Sequence, residues 1–159
     1  RYLWAASRIV GNDILEVGCS NGYGSQFFGD TIEYTGLDYD EKIIEVAREE
    51  GWGDNKNFVH ADINNYNIDQ FDTIVAMEVI EHLDNGLEVA QKLKDHCNRL
   101  LVTVPYMETP GFCGEHHRLH MLDQSHLPDF TYQFMGERGD ISPVPFNGIN
   151  LMMCEWNRA

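Results

Sequence analysis

Short apolar runs alternate along the chain with segments of helical period. The apolar runs predict strands at 13–17, 32–37, 57–60, 71–77 and 100–104. The intervening segments predict helices at 22–28, 41–50 and 87–96. Alternation of this kind is typical of βαβ units, so the pattern predicts an α/β fold built on a parallel sheet.

The ends of these segments carry recognisable signals. Asp40 precedes the second helix and is predicted to cap it, and Gly51 and Gly53 are predicted to end it. Residues 105–123 have no clean period and hold three of the seven histidines. We therefore predict a long functional loop there, followed by a short helix at 123–127. Strands at 130–135 and 148–156 are predicted to close the sheet edge as a hairpin-like pair.

The length of 159 residues predicts one domain. The chain opens without Met on a helix-like segment at 2–10, which suggests a fragment of something longer. No apolar run approaches the roughly 18 to 20 residues that span a bilayer, so no membrane association is predicted. The four cysteines form no Cys-x-x-Cys pair, and a reducing, cytoplasmic location is the expectation.

The charge balance bears on possible partners. Eleven basic and twenty-six acidic residues give a formal charge of −15. A polyanion would be repelled by this surface unless the basic residues were gathered on one face, and they are scattered along the sequence. Nucleic acid is therefore disfavoured as a partner.

The most informative motif is a glycine-rich turn that follows the first predicted strand. Gly18, Gly22 and Gly24 lie in this turn, and Asp38 ends the next predicted strand about twenty residues after Gly18. This arrangement is typical of a site for an adenosine-containing cofactor, in which a carboxylate accepts hydrogen bonds from the ribose hydroxyls. A nicotinamide or flavin dehydrogenase would place glycines at the first, third and sixth positions of the turn. This chain has them at the first, fifth and seventh, which argues against that class.

The motifs and their order, from about residue 14 to the end, resemble class I S-adenosylmethionine-dependent methyltransferases. Residues 16–22 (Glu-Val-Gly-Cys-Ser-Asn-Gly) are similar to the family's first motif, with Ser20 in place of its middle glycine. Residues 71–83 resemble its fourth-strand signature, and residues 101–105 resemble its fifth strand. The resemblance implies a Rossmann-like three-layer α/β/α sandwich with a seven-stranded, mostly parallel sheet whose last strand is antiparallel. It also implies a single methyltransferase domain over 1–159.

The resemblance implies S-adenosylmethionine as the cofactor. Asp38 would bind the ribose, Tyr39 would pack against adenine, and Asp62 would accept from the adenine amino group. The implied cofactor-binding residues are Glu16, Gly18, Cys19, Ser20, Asn21, Gly22, Asp38, Tyr39, Asp62, Ile63 and Met77. Simpler alternatives stay open: the glycines as turn residues alone, Asp38 as a helix cap, and Asp62 as the cap of a turn into 63–65.

Methyl transfer from a sulfonium is an in-line displacement, so the protein's main task is to align the nucleophile with the methyl group. A base is needed only where the nucleophile must lose a proton. We predict Glu78, His82 and His117 as catalytic residues. The wider set of candidates includes Glu81, His116 and His120. The loop histidines are alternatively substrate contacts or part of a solvated loop.

Glu78, Glu81 and His82 are spaced so that a helical turn would place them on one side. This arrangement resembles the metal site of small-RNA 2′-O-methyltransferases and the Mg-assisted site of ubiquinone-pathway O-methyltransferases. The resemblance implies Mg or Mn held by Glu78, Glu81, His82 and a later histidine, taken as His116, with His117 and His120 as alternatives. In metal-free members of the family the same histidine lines the pocket or bonds the backbone.

We therefore expect an enzyme that methylates an oxygen or nitrogen of a small molecule. The alternatives are a metal-dependent RNA 2′-O-methyltransferase, which the charge opposes, and a non-catalytic S-adenosylmethionine-binding domain. The sequence leaves the acceptor and the oligomeric state open.

Overall fold

The computed structural model describes residues 1–112 and 116–159. Cys113 and Glu115, which belong to the predicted functional loop, lie outside the described residues. The described strands are β1 (Asp13–Val17), β2 (Glu33–Asp38), β3 (Lys56–His60), β4 (Phe71–Met77), β5 (Cys97–Pro105), β6 (Thr131–Gly136), β7 (Ile141–Ser142) and β8 (Asn150–Asn157). They form one sheet in the order β3-β2-β1-β4-β5-β8-β6-β7.

The helices are short. The α-helices are α1 (Tyr2–Ala6), α2 (Glu41–Glu49) and α3 (Gly86–Lys94), and 3-10 helices cover Tyr23–Phe27, Ile80–His82 and Gln124–His126. Asp40 caps α2 as predicted, since its side chain accepts from the backbone N–H groups of Lys42 and Ile43. The crossover helix predicted at 22–28 is wrong in type and length, because the glycine turn leaves room only for the five-residue 3-10 helix that starts at Tyr23.

The sheet confirms the α/β prediction. Strands β1 to β5 pair in parallel, and β8 pairs antiparallel with both β5 and β6. The hairpin-like pair β6 and β8 is therefore confirmed, although β8 inserts between β5 and β6 instead of ending the sheet. The described sheet has eight strands and not the seven that the resemblance implies, because the two-residue β7 between β6 and β8 also pairs with β6.

Both faces of the sheet are covered. In β4, Ile74 and Ala76 belong to the apolar cluster that includes α3, whereas Val75 and Met77 belong to the cluster that includes α1 and α2. Successive side chains of a strand point to opposite faces, so β4 is covered by apolar residues on both sides. This is the three-layer arrangement expected from the sequence.

Among residues 1–112 and 116–159, no helix has the length and apolar character needed to cross a membrane. Cys19, Cys97 and Cys154 are buried and free.

Candidate functional site

A cleft of about 810 Å³ opens at the carboxyl ends of β1 to β4. One part is lined by Gly18, Asp38, Tyr39, Asp62 and Ile63, and the other by Glu78, His82, His116 and Arg118. In parallel sheets the crevice outside the carboxyl ends of the strands is where ligands bind. The structure thus brings eight of the sequence-predicted site residues to one cavity.

The glycine turn meets the cleft at Gly18. Gly18 has a φ of +70°, and a Cβ atom there would lie 2.4 Å from Cγ2 of Val79. Ser20 also adopts a left-handed conformation, with a φ of 51°. Its backbone N–H donates to Oδ2 of Asp38 at 2.9 Å. The position where the related motif has a glycine is therefore strained here, because a side chain disfavours this conformation.

Replacing Ser20 with glycine is expected to stabilise the protein. Glycine removes the strain of the left-handed conformation in the folded state, but it also raises the entropy of the unfolded state. Because the first effect is larger, the free energy of unfolding should rise by up to about 1 kcal/mol. Thermal unfolding measures the change. Ser7→Gly is the matched control, since Ser7 has a φ of −71° and glycine there should destabilise. A lower melting temperature for Ser20→Gly would contradict the prediction.

Asp38 lies at the end of β2, and each of its carboxylate oxygens accepts one hydrogen bond. Oδ2 accepts from Ser20, and Oδ1 accepts the backbone N–H of Asp40 at 3.0 Å. Its side chain is almost fully buried, with 9% exposed. Each oxygen of a carboxylate has two acceptor sites, so both oxygens of Asp38 keep one for a ligand. Tyr39, the next residue, is 78% exposed at the rim of the cleft.

Asp62 has the turn-capping role that we kept as an alternative. Its Oδ1 accepts the backbone and side-chain N–H groups of Asn64, and its Oδ2 accepts from Asn65. Asp62 nevertheless lines the cleft beside Ile63. A contact between Asp62 and adenine stays a prediction.

Several predicted cofactor residues do not line the described cleft, namely Glu16, Cys19, Ser20, Asn21, Gly22 and Met77. Glu16 is fully buried beneath the glycine turn and accepts from the hydroxyls of Tyr2 at 2.7 Å and Tyr34 at 2.6 Å. Burial is the main reason that the pKa of Glu16 is raised to about 7. No local pattern marks these tyrosines as partners of Glu16, because both contacts form only in the folded chain.

Acidic and imidazole groups gather at the other part of the cleft; we call Glu78, Glu81, Glu108, His82 and His117 the acid–histidine cluster. Glu81 is 0% exposed, and within residues 1–112 and 116–159 neither of its carboxylate oxygens accepts a side-chain hydrogen bond. Burial, followed by the charge of Glu78, raises the pKa of Glu81 to about 8. Glu78 has a left-handed φ of 61°, and burial raises the pKa of its carboxyl as well. Backbone strain of this kind is often found at functional sites.

The two histidines of the cluster are each held through Nδ1. Nδ1 of His82 lies 3.2 Å from the carbonyl oxygen of His116, and Nδ1 of His117 lies 2.7 Å from Oε2 of Glu108. Because a carbonyl can only accept, Nδ1 of His82 must donate, which leaves Nε2 of the neutral ring as an acceptor. That Nε2 lies 4.0 Å from Oε1 of Glu81. Burial lowers the pKa of His82, so the neutral ring is favoured.

The fit of this cluster to a metal ion can be tested from its geometry. One ligand atom from each of Glu81, His82 and His117 lies within 4.8 Å of the others. The structure thus gathers His117, and not the predicted His116, with Glu81 and His82. Glu78 is not in this group of three, and His116 contributes its backbone oxygen to His82. The orphaned oxygens of Glu81 are what a cation would satisfy.

The loop brings His117 to the site through main-chain bonds. The carbonyl oxygen of Glu81 accepts from the N–H groups of Arg118 at 2.6 Å and Leu119 at 3.0 Å. The ring of His117 therefore meets that of His82 edge to face, with centroids 4.6 Å apart. Glu108 was not singled out in the sequence, because nothing in its local pattern marks a partner nine residues away.

A glycine turn, an acid ending β2 and a cleft at the carboxyl ends of the strands define a nucleotide-binding α/β domain. Residues 15–101, more than half of the chain, match the family model described as a methyltransferase domain. The chain therefore belongs to the class I S-adenosylmethionine-dependent methyltransferases, whose cofactor is S-adenosylmethionine.

Individual relatives agree with this assignment. A probable S-adenosylmethionine-dependent methyltransferase of Mycolicibacterium smegmatis is 33% identical over 90 residues, covering 52% of this chain and 32% of that protein. The chain thus spans about a third of the length of this curated relative. The fold is similar to that of the N-terminal domain of EvdMO1 with S-adenosylhomocysteine bound (TM-score 0.74, 13% identity, 100% of this chain and 82% of that one). It is also similar to the plantazolicin methyltransferase BpumL in complex with S-adenosylhomocysteine (TM-score 0.66, 16% identity, 99% and 80%).

Proposed function

We propose that residues 1–159 form a single methyltransferase domain that transfers a methyl group from S-adenosylmethionine to an oxygen or nitrogen of a small molecule. The observation that carries the proposal is that one cleft is lined both by Gly18 and Asp38 and by Glu78 and His82. A cofactor held at the first part would direct its sulfonium methyl toward the second.

The first part of the cleft suits the nucleoside. Asp38 keeps one free acceptor site on each oxygen for the ribose hydroxyls, and Gly18 lines the cleft in a left-handed conformation that leaves no space for a Cβ atom beside Val79. Tyr39 offers an exposed ring at the rim for adenine. Favourable contacts at this part position the donor, and positioning supplies most of what an already activated methyl donor needs.

The second part of the cleft suits an acceptor that must lose a proton. We assign His82 as the base that faces the acceptor, since it lines the cleft and its Nε2 is the acceptor nitrogen. Glu78 lines the cleft beside it, and the ring of His117 packs against that of His82. The burial that lowers the pKa of His82 favours the neutral form that a base requires.

A small acceptor fits the charge of the molecule better than a polyanion does. The formal charge of −15 opposes RNA, and Glu78 adds a carboxylate to the acceptor part of the cleft. A volume of about 810 Å³ lies in the range of small-molecule pockets. The RNA alternative would require a cation to offset these charges.

A divalent cation at Glu81, His82 and His117 is the second candidate. Three candidate ligand atoms lie within 4.8 Å of one another, and the fully buried carboxylate of Glu81 accepts no side-chain hydrogen bond among the described residues. Two imidazole nitrogens and one carboxylate suit Mn²⁺ better than Mg²⁺, which prefers oxygen ligands. When bound, such an ion would polarise an acceptor hydroxyl and lower its pKa.

Thermal unfolding with S-adenosylhomocysteine tests the cofactor proposal. We expect the nucleoside to raise the melting temperature in EDTA, because it binds only the folded state. Mn²⁺ alone should raise it separately if the cation site forms. A melting temperature that does not respond to the nucleoside would overturn the cofactor proposal, and one that does not respond to Mn²⁺ would overturn only the cation.

Transfer of labelled methyl groups to hydroxyl and amine acceptors, compared with a short RNA, tests the acceptor class. Labelling of small acceptors is the expected result. Labelling of the RNA alone, and only with Mn²⁺, would favour the RNA alternative. Binding of S-adenosylhomocysteine without transfer to either class would favour a non-catalytic domain.

A further inference from the structure

We propose that Glu108 is a positioning residue for the cation site: its carboxylate holds His117 through Nδ1 and so turns Nε2 toward Glu81 and His82. This inference rests on the cation candidate of the proposed function. It adds a residue that neither the sequence motifs nor the family resemblance singled out.

The contact between the two side chains is short and shielded from water. Oε2 of Glu108 lies 2.7 Å from Nδ1 of His117, and their side chains are 7% and 10% exposed. A hydrogen bond to a carboxylate is stronger than one between neutral groups, and shielding from water strengthens it further. The nitrogen left to join Glu81 and His82 within 4.8 Å is therefore Nε2.

Both histidines of the site are held through a hydrogen bond at Nδ1. His82 donates Nδ1–H to the carbonyl oxygen of His116, and His117 is held at the same ring atom by Glu108. Metal-binding histidines usually donate their second N–H to a carboxylate or carbonyl, which fixes the tautomer and the ring orientation. Two independent contacts of this kind, converging on one buried carboxylate, are what a cation site requires.

Main-chain hydrogen bonds close the loop around Glu108, since Met107 donates to the carbonyl of Leu122 and Met121 donates to the carbonyl of Glu108.

The test measures Mn²⁺ affinity by electron paramagnetic resonance on the intact chain. Glu108→Ala should weaken Mn²⁺ binding by about tenfold or more, as loss of the partner of a metal-binding histidine does. Glu108→Gln should fall between this variant and the wild type, because the amide oxygen can still accept from Nδ1. Asp123→Asn is the matched control: it alters another carboxylate–imidazole pair, with His126 at 2.9 Å, while keeping a good helix cap.

Nitrogen NMR of the metal-free protein gives a second readout. In the neutral ring of wild-type His117, Nδ1 should carry the proton and Nε2 should be bare, because the carboxylate of Glu108 accepts at Nδ1. Glu108→Ala should mix the two tautomers. A purely structural residue would change the melting temperature without changing either measurement.

Three results would overturn the inference: Mn²⁺ affinity in Glu108→Ala and Glu108→Gln equal to that of the wild type, equal losses in Asp123→Asn, or no Mn²⁺ binding by the wild type. In each case the affinity for S-adenosylhomocysteine in EDTA is measured separately. Failure of the cation site is thereby distinguished from failure of the methyltransferase proposal.

Discussion

Replacing Asp38 with alanine is expected to weaken binding of S-adenosylhomocysteine by about 100-fold, because hydrogen bonds to a charged group are each worth about 1.5–3 kcal/mol. Asp38 ends β2 at the edge of the cleft, with one acceptor site free on each oxygen. Loss of the carboxylate would leave the ribose hydroxyls without these partners. Isothermal titration calorimetry in EDTA measures the change.

The matched control is Asp40→Asn, which removes the same charge two residues away. Asp40 is exposed and caps α2, and asparagine caps helices equally well. Its affinity for S-adenosylhomocysteine should therefore equal that of the wild type. Asp38 also holds Ser20, so circular dichroism must first show that Asp38→Ala is folded. A folded Asp38→Ala with undiminished affinity would remove Asp38 from the proposed ribose site.

The residues that the sequence predicts well are those whose role is local. The apolar runs locate β1 to β4 because buried parallel strands need little beyond apolar character. Asp40 was recognisable as a cap because its hydrogen bonds reach only Lys42 and Ile43.

The remaining features depend on contacts between distant residues. Strand propensity identifies β8 as a strand, but it does not determine that β8 pairs between β5 and β6. The partners of Glu16 are 14 and 18 residues away from it in the sequence. Glu108 and His117 meet because main-chain bonds fold the loop back onto Glu81. The sequence predicted His116 as the histidine beside Glu81 and His82, with His117 and His120 as alternatives, and it is the folding of the loop that brings His117 to these two residues.

Two residues of the site share an unfavourable backbone conformation. Ser20 on the glycine turn and Glu78 at the end of β4 both have φ in the left-handed region. Glu78 lines the cleft, and Ser20 donates to the acid that we assign to the ribose. Such strain persists only where the surrounding structure imposes it. The turn and the end of β4 are thus held in place before any ligand arrives, which is the preorganisation that methyl transfer needs.

The free energy of unfolding is expected to carry a pH-dependent contribution from Glu16, which Glu16→Gln removes. Burial raises the pKa of this carboxyl from 4.5 to about 7 in the folded protein. Between these values the folded state holds a proton that the unfolded state has lost. Raising the pH through this window therefore lowers the free energy of unfolding, by up to about 3 kcal/mol for this group. The stabilisation by Glu16 is therefore complete below pH 4.5 and lost above about pH 7.

The measurement compares urea unfolding of Glu16→Gln and the wild type from pH 4.5 to 8. The free energy of unfolding of the variant should rise relative to the wild type up to about pH 7 and then stay level. Tyr34→Phe provides a matched test, because its hydroxyl donates to Glu16 and lowers the pKa of that carboxyl. Its removal should move the upper limit of the window to higher pH, since the ionised carboxylate loses a donor. A difference between Glu16→Gln and the wild type that does not change with pH would show that Glu16 stays ionised beneath the turn. In that case the two tyrosine hydroxyls, and not a proton, would compensate its burial.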